Sequence, residues 1–200
     1  MPGIFITGTD TGVGKTYVTA WLARNLMAQG FDVGVMKPIS TGPLKENDAV
    51  YLKKTLELKD SLDLINPIRL KHPLAPLPAA KIENRKLNIE NIFRAYKKLL
   101  KRHDLILVEG IGGVLVPITK KYFVADLIKD LGLPAIIVAR AGLGTINHTL
   151  LTVEALKKRK ISVLGIILNG FKGKDLAEKT NAEVIEKISG VPVLANLKQG

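Results

Sequence analysis

The sequence predicts an α/β fold: a mostly parallel sheet with helices packed on both faces. Three observations carry this. Short apolar runs alternate with amphipathic stretches from one end of the chain to the other. Most of the runs are continuously apolar, which is the pattern of strands buried on both faces. The composition is 46% hydrophobic but only 5% aromatic, which suits an aliphatic core. Two hundred residues are expected to form one domain spanning 1–200.

The elements follow in order. Residues 4–6 are an apolar strand. A helix over 15–29 has Val18, Trp21, Leu22, Leu26 and Met27 at helical spacing and stops at Gly30. A strand over 33–36 ends at Lys37-Pro38, where the proline holds Lys37 extended. Residues 39–43 read as a loop at the ligand edge of the sheet. Asn47 or Asp48 caps a second helix, and 65–70 is extended. Pro73, Pro76 and Pro78 predict a fixed loop over a site and no regular helix. Asn88 caps a helix over 89–102. A strand over 105–109 is closed by Glu109 and followed by Gly110-Ile111-Gly112-Gly113. A helix over 124–131, a strand over 135–139, a helix over 145–159, a strand over 163–168, a helix over 176–188 and a strand over 193–197 complete the chain.

Between the first strand and first helix lies Thr7-Gly8-Thr9-Asp10-Thr11-Gly12-Val13-Gly14-Lys15-Thr16. Strand, glycine loop, helix is the setting of a phosphate-binding loop. Backbone N–H groups face an anion there, and the helix dipole adds partial positive charge. Lys15 would reach the β/γ-phosphates and the Thr16 hydroxyl would ligate Mg²⁺. The usual G-x-x-x-x-G-K-[ST] spacing puts the first glycine at position 9, whereas here it is Gly8. An ordinary strand-to-helix turn is the plain alternative. A dinucleotide loop is another, with Gly12-Val13-Gly14 as G-x-G, but its third glycine position is Tyr17. The flanking strand and helix favour nucleotide phosphate and a P-loop NTPase-like sheet.

Glu109, a carboxylate ending a buried strand, resembles a Walker-B position that holds Mg²⁺. Asp48 is either a further ligand or a helix cap. Lys37 is either a crevice cation that stabilises developing charge or a surface lysine before proline. Gly142 to Asn147 form a second helix start able to take a carboxylate or a phosphate. The three histidines have no ligand spacing, and no Ser-His-Asp order or H-E-x-x-H occurs. The net charge of +12 is spread over lysines at helix ends and polar faces. It steers anionic substrates and does not form a nucleic-acid stripe. No cysteine, no signal-peptide pattern and no apolar run of about 18 residues fit a cytoplasmic protein without a membrane span.

Taken together, these residues resemble the dethiobiotin synthetases, ATP-dependent carboxylating ligases of biotin synthesis. The likeness is carried by Thr7-Gly8-Thr9-Asp10-Thr11 through Thr16, Lys37-Pro38-Ile39-Ser40-Thr41-Gly42, Asn47-Asp48-Ala49, Val108-Glu109-Gly110, Gly144-Thr145-Ile146-Asn147-His148 and the strand ending at Asn169. The order and spacing hold over almost the whole chain, and the T-G-T-D-T loop accounts for the displaced glycine.

The resemblance implies ATP, CO₂ or bicarbonate and 7,8-diaminopelargonate as substrates, Mg²⁺ as cofactor, and a homodimer with no nucleic-acid or membrane partner. It implies that Gly12, Val13, Gly14, Lys15, Thr16 and Tyr17 wrap the phosphates, and that Thr16, Asp48 and Glu109 hold Mg²⁺. Gly110, Ile111 and Gly112 belong to the nucleotide site, while Asn169, Gly170, Leu197, Lys198 and Gln199 line the adenine end. Lys15 and Lys37 neutralise carbamate and phosphate charge, Lys37 being the catalytic lysine. Thr11 and Thr41 face the reacting end of the substrate. Gly144, Thr145, Ile146 and Asn147 take its tail carboxylate, across the dimer interface in family members. Gly12 stands where some relatives carry an acidic residue, and the short tail after Leu197 predicts an open adenine pocket. Partition and septum-placement ATPases are the competing class, but they carry a second lysine early in the loop, which Thr9-Asp10-Thr11 lacks. A cobalamin-type amide ligase would need a nucleophilic cysteine, and there is none.

Overall fold

Six of the apolar runs join one parallel sheet in the computed structural model, which describes residues 2–198. The strands are β1 (Gly3–Gly8), β2 (Val33–Met36), β5 (Leu105–Gly113), β8 (Ala135–Arg140), β9 (Val163–Asn169) and β10 (Val193–Leu197), in the order β10-β9-β8-β1-β5-β2. Two small pairs stand beside it. β3 (Ile39–Thr41) runs parallel to β4 (Ile68–Leu70), and β6 (Pro117–Thr119) is antiparallel to β7 (Tyr122–Phe123). The helices are α1 (Lys15–Ala28), α2 (Asp48–Thr55), α3 (Leu62–Ile65), α4 (Pro76–Ile82), α5 (Glu90–Leu99), α6 (Val124–Leu131), α7 (Thr145–Lys158) and α8 (Leu176–Ser189).

Each central strand feeds both faces, because successive side chains point opposite ways. Phe5, Ile106, Val108 and Ile137 pack with Ile92, Leu99, Leu156 and Ile185 of α5, α7 and α8. Their neighbours Ile6, Leu107, Ile136 and Val138 pack on the other face with Val18, Ala20 and Ala23 of α1. Continuously apolar strands were therefore the correct sign of a sheet covered on both sides. Phe5 is fully buried in the central strand. Truncating such a side chain to alanine costs ~3–5 kcal/mol.

All six strands point the same way, so the loops after β1, β2, β5, β8 and β9 open on one edge. Register then sets positions along that edge. Met36 of β2 lies opposite Val108 of β5, which brings the next residues, Lys37 and Glu109, out side by side.

Four sequence expectations change. Residues 39–43 are not all loop, since Ile39–Thr41 pairs with Ile68–Leu70. The extended stretch expected over 65–70 starts later, because Ile65 still closes α3. β5 does not stop at Glu109 but runs on to Gly113, pairing Gly113 with Gly8. The proline segment forms a helix after all. Pro76 and Pro78 occupy the first turn of α4, where the backbone N–H has no intrahelical partner to lose. The residues ahead of it, Pro73, Leu74 and Ala75, line the cleft described below, as a segment docked over a site should.

The opposite edge is held by charge. The His103 ring lies 2.7 Å from an Asp32 oxygen through Nδ1 and 2.7 Å from an Asp60 oxygen through Nε2. Arg102 donates to the other Asp60 oxygen at 2.8 Å. A histidine that donates through both nitrogens is an imidazolium. Burial opposes that charge, but the two carboxylates outweigh it and raise the His103 pKa above its ordinary 6.5. Because the folded value is the higher one, this stabilisation is complete below about pH 6.5 and fades as pH rises through the raised value. Thermal melts across neutral to mildly alkaline pH should show a falling Tm, and His103→Gln should flatten that slope.

Candidate functional site

The loop between β1 and α1 is shaped by two glycines. Gly14 caps α1 with φ 90°, and a Cβ there would lie 2.0 Å from Asn169 Nδ2. Asn169, the last residue of β9, donates from that nitrogen to the Val13 carbonyl at 3.0 Å. The loop thus rests directly on the Asn169 side chain. Gly8 must also be small, since a Cβ would come 2.9 Å from Val13 Cγ2 and 3.0 Å from the Asp10 carbonyl oxygen. Lys15 Nζ donates to the Asp10 carbonyl at 2.9 Å, curling its side chain back under the loop. Burial first, and then the Lys37 ammonium nearby, push the Lys15 pKa down to about 8.

Lys37 and Glu109 meet at 2.6 Å with side chains 2% and 0% exposed. The Lys37 ammonium also donates to the Gly110 carbonyl at 3.0 Å and lies 2.7 Å from an Asp48 oxygen. Burial opposes the charge on Lys37, yet Glu109 and Asp48 more than offset it and raise its pKa. Burial likewise opposes the Asp48 carboxylate, and Lys37 prevails, holding it below the usual aspartate value. The surface-lysine alternative for Lys37 is therefore excluded. Asp48 is the first residue of α2 and not its cap. That task falls to Asn47, whose Oδ1 accepts from Ala49 N at 2.8 Å. Asp48 is thereby left 43% exposed and turned to the cleft.

Thr16 donates from its hydroxyl to Glu109 Oε1 at 2.9 Å. The other Glu109 oxygen is buried with no hydrogen-bond partner among the described residues. An orphaned buried carboxylate oxygen, a second carboxylate and a hydroxyl make a hard oxygen set that fits Mg²⁺. Among the described residues no group of three or more His, Asp or Glu could hold an ion unaided.

These residues border a cleft of about 540 Å³. Thr11, Gly12, Gly14, Lys15, Thr16, Lys37, Thr41, Asp48, Ile111 and Gly112 all line it. Val13 is buried beneath the loop, and Glu109 and Gly110 lie under Lys37. Tyr17 is part-exposed on α1. Asn169, Gly170, Leu197 and Lys198 are not in the cleft wall. Asn169 touches the loop, and the Phe171 N–H donates to the Leu197 carbonyl at 2.9 Å, joining the ends of β9 and β10. Gln199 lies outside the described residues. Gly144, Thr145, Ile146 and Asn147 sit at the start of α7 and do not line the cleft of this chain. The sequence reading missed Ser40, Glu46 and Val116, which also border it. Ser40 lay in view within the K-P-I-S-T-G motif but had no chemical signature of its own.

A glycine loop following the central strand, with the buried carboxylate of Glu109 on the adjacent parallel strand, defines a P-loop nucleotide-binding protein. Solved structures agree at the level of fold. The septum site-determining protein MinD of Pyrococcus horikoshii, solved with Mg-ADP, matches 100% of this chain and 82% of its own at TM-score 0.60 and 21% identity. A ParA family ATPase from Chlorobium tepidum matches 98% of this chain and 85% of its own at TM-score 0.61 and 18% identity. A family model described as an AAA domain matches residues 2–199. Closer relatives are ATP-dependent dethiobiotin synthetases BioD. That of Thermodesulfovibrio yellowstonii is 51% identical, covering 98% of this chain and 88% of its own length. That of Methanocaldococcus jannaschii is 47% identical, covering 98% and 93%. The chain belongs to the dethiobiotin synthetase family.

The two loop glycines give a graded test. Gly14→Ala meets both a strained φ and the Asn169 amide, and should weaken ADP binding by about tenfold or more in titration calorimetry. Gly12→Ala, with φ 72° but open space around the new Cβ, should lose less. Equal affinities in both variants and the parent would mean that the nucleotide binds elsewhere.

Proposed function

We propose that this chain is an ATP- and Mg²⁺-dependent ligase that converts 7,8-diaminopelargonate and CO₂ into dethiobiotin, releasing ADP and phosphate. Membership of the family supports the overall reaction. The observation that carries the chemistry is the pair of buried ammonium groups, Lys15 and Lys37, at one cleft beside the phosphate loop. In this reading one substrate amine adds to CO₂ and loses a proton, giving a carbamate. The carbamate oxygen takes the γ-phosphoryl group of ATP, and ADP leaves. The second amine attacks the carbonyl carbon of that mixed anhydride and expels phosphate, closing the cyclic urea.

The chain's residues serve charge and position. Backbone N–H groups of Gly12 to Tyr17 hold the polyphosphate. Lys15 neutralises phosphate charge, and its lowered pKa marks a desolvated site where electrostatics act strongly. Lys37, held at the cleft wall by its carboxylate partners, stabilises charge on the carbamate and the transferring phosphoryl group. Thr11 and Thr41 orient the reacting end of the substrate from the cleft wall. Thr16, Asp48 and Glu109 would hold Mg²⁺, which supplies charge neutralisation across the phosphates. Asn169, Gly170, Leu197, Lys198 and Gln199 form the adenine end, with the Asn169 Oδ1, unpartnered among the described residues, as an acceptor for the 6-amino group.

Gly144 to Asn147 do not reach this chain's own cleft, which supports their serving a second copy in a homodimer. There they would take the tail carboxylate at the start of α7. The whole chain, 1–200, works as one catalytic domain, and a cytoplasmic setting follows from its biosynthetic role. Among the described residues no helix is long and apolar enough to cross a membrane.

Mass measurement of the product from 7,8-diaminopelargonate, bicarbonate and ATP should give dethiobiotin. ADP release indifferent to the diamine, or nucleotide-driven assembly in its place, would instead favour the switch ATPases that share the fold. Lys37→Ala should leave ADP affinity within about twofold while abolishing turnover. If affinity falls as far as turnover, Lys37 is a binding residue only.

A further inference from the structure

We propose that Asn66, which lies outside the phosphate loop and the cleft wall, is a positioning residue for the Lys37–Asp48 pair. This rests on the roles given above to those two side chains.

Lys37 falls just after β2 and just before Pro38, so the sheet leaves its backbone unpaired. Both of its polar backbone atoms are taken up by residues 65 and 66. Its N–H donates to the Ile65 carbonyl at 2.7 Å, and its carbonyl accepts from Asn66 Nδ2 at 2.7 Å. The second Asn66 N–H goes to the Ile68 carbonyl at 3.2 Å. Asn66 Oδ1 accepts from Ser40 Oγ at 2.7 Å and from Asn47 Nδ2 at 3.2 Å. Asn47 Nδ2 also donates to Ser40 Oγ at 2.7 Å.

All four hydrogen-bonding positions of the Asn66 amide are thus filled, and the residue is 0% exposed. The contacts close a ring. From the Lys37 carbonyl the path runs through Asn66 to Asn47, whose Oδ1 caps α2. It continues to Asp48, the first residue of α2, whose Oδ2 returns to Lys37 Nζ at 2.7 Å. One buried amide therefore fixes the lysine at its backbone and, through the cap, the carboxylate that meets its ammonium. A buried amide is costly unless every bond is made, so the ring tolerates one arrangement and enforces it. Packing alone would hold the segment in place without aiming either charge.

Asn66→Asp keeps the acceptor oxygen for Ser40 and Asn47 but loses both donors, to the Lys37 and Ile68 carbonyls. Expected are a fall in kcat of about tenfold or more and a loss of most of the Mg²⁺ enhancement of ADP affinity. ADP affinity without Mg²⁺ should stay within about twofold, because none of Gly12 to Thr16 hydrogen-bonds to Asn66. A purely structural role predicts a lower Tm with both kcat per folded molecule and the Mg²⁺ enhancement unchanged, and that result would overturn the inference. If Asn66→Asp does not fold, Ser40→Ala decides: it removes one of the two bonds to Asn66 Oδ1, and wild-type values in both measurements would overturn the inference equally. The ratio of ADP affinities with and without Mg²⁺ needs no diamine. A chain that makes no dethiobiotin but loses that ratio in the variant would refute the proposed reaction and leave the positioning role standing.

Discussion

The site depends on one buried contact, the Lys37 ammonium against the Glu109 carboxylate. Neither charge can be left alone in that interior. Removing Lys37 would leave Glu109 buried without a countercharge, a loss of the kind that costs ~3–5 kcal/mol. The contact is available because β2 and β5 run side by side in a register that brings Lys37 and Glu109 out together. Gly110 and Asp48 then share the ammonium, and Thr16 binds the same Glu109 oxygen. The start of α1, the end of β2, the middle of β5 and the start of α2 are all tied to one ion pair.

The sequence made the sheet legible because its central strands are apolar on both faces, and helices on two sides are the only way to bury them. Most element boundaries followed, since glycine and proline mark them. The proline segment failed for a specific reason. Three prolines argue against a helix interior, but two of them sit in a first turn, where they cost nothing. β5 ran longer than expected because its glycines allow the close pairing of Gly113 with Gly8 that an ordinary strand end would not make.

At the site, the loop and the Lys37, Asp48 and Glu109 trio were legible because charge and spacing mark them. The two open alternatives were decided only by three-dimensional neighbours. Asn47 caps α2, which frees Asp48, and the burial of Lys37 among acceptors removes it from the surface. Asn66 was invisible. It fell within a stretch read only as extended, and nothing local reveals that both ends of its amide are in use. Buried polar rings are built from residues far apart in the chain, and periodicity carries no trace of them.

The prolines of the 73–78 segment bear on how ligands arrive. A residue whose φ is set by its own ring has little freedom to lose on ordering. The wall made by Pro73, Leu74 and Ala75, braced by Pro76 and Pro78 behind it, is therefore already in shape before anything enters. A ligand packing against that side would therefore have little wall disorder to freeze out.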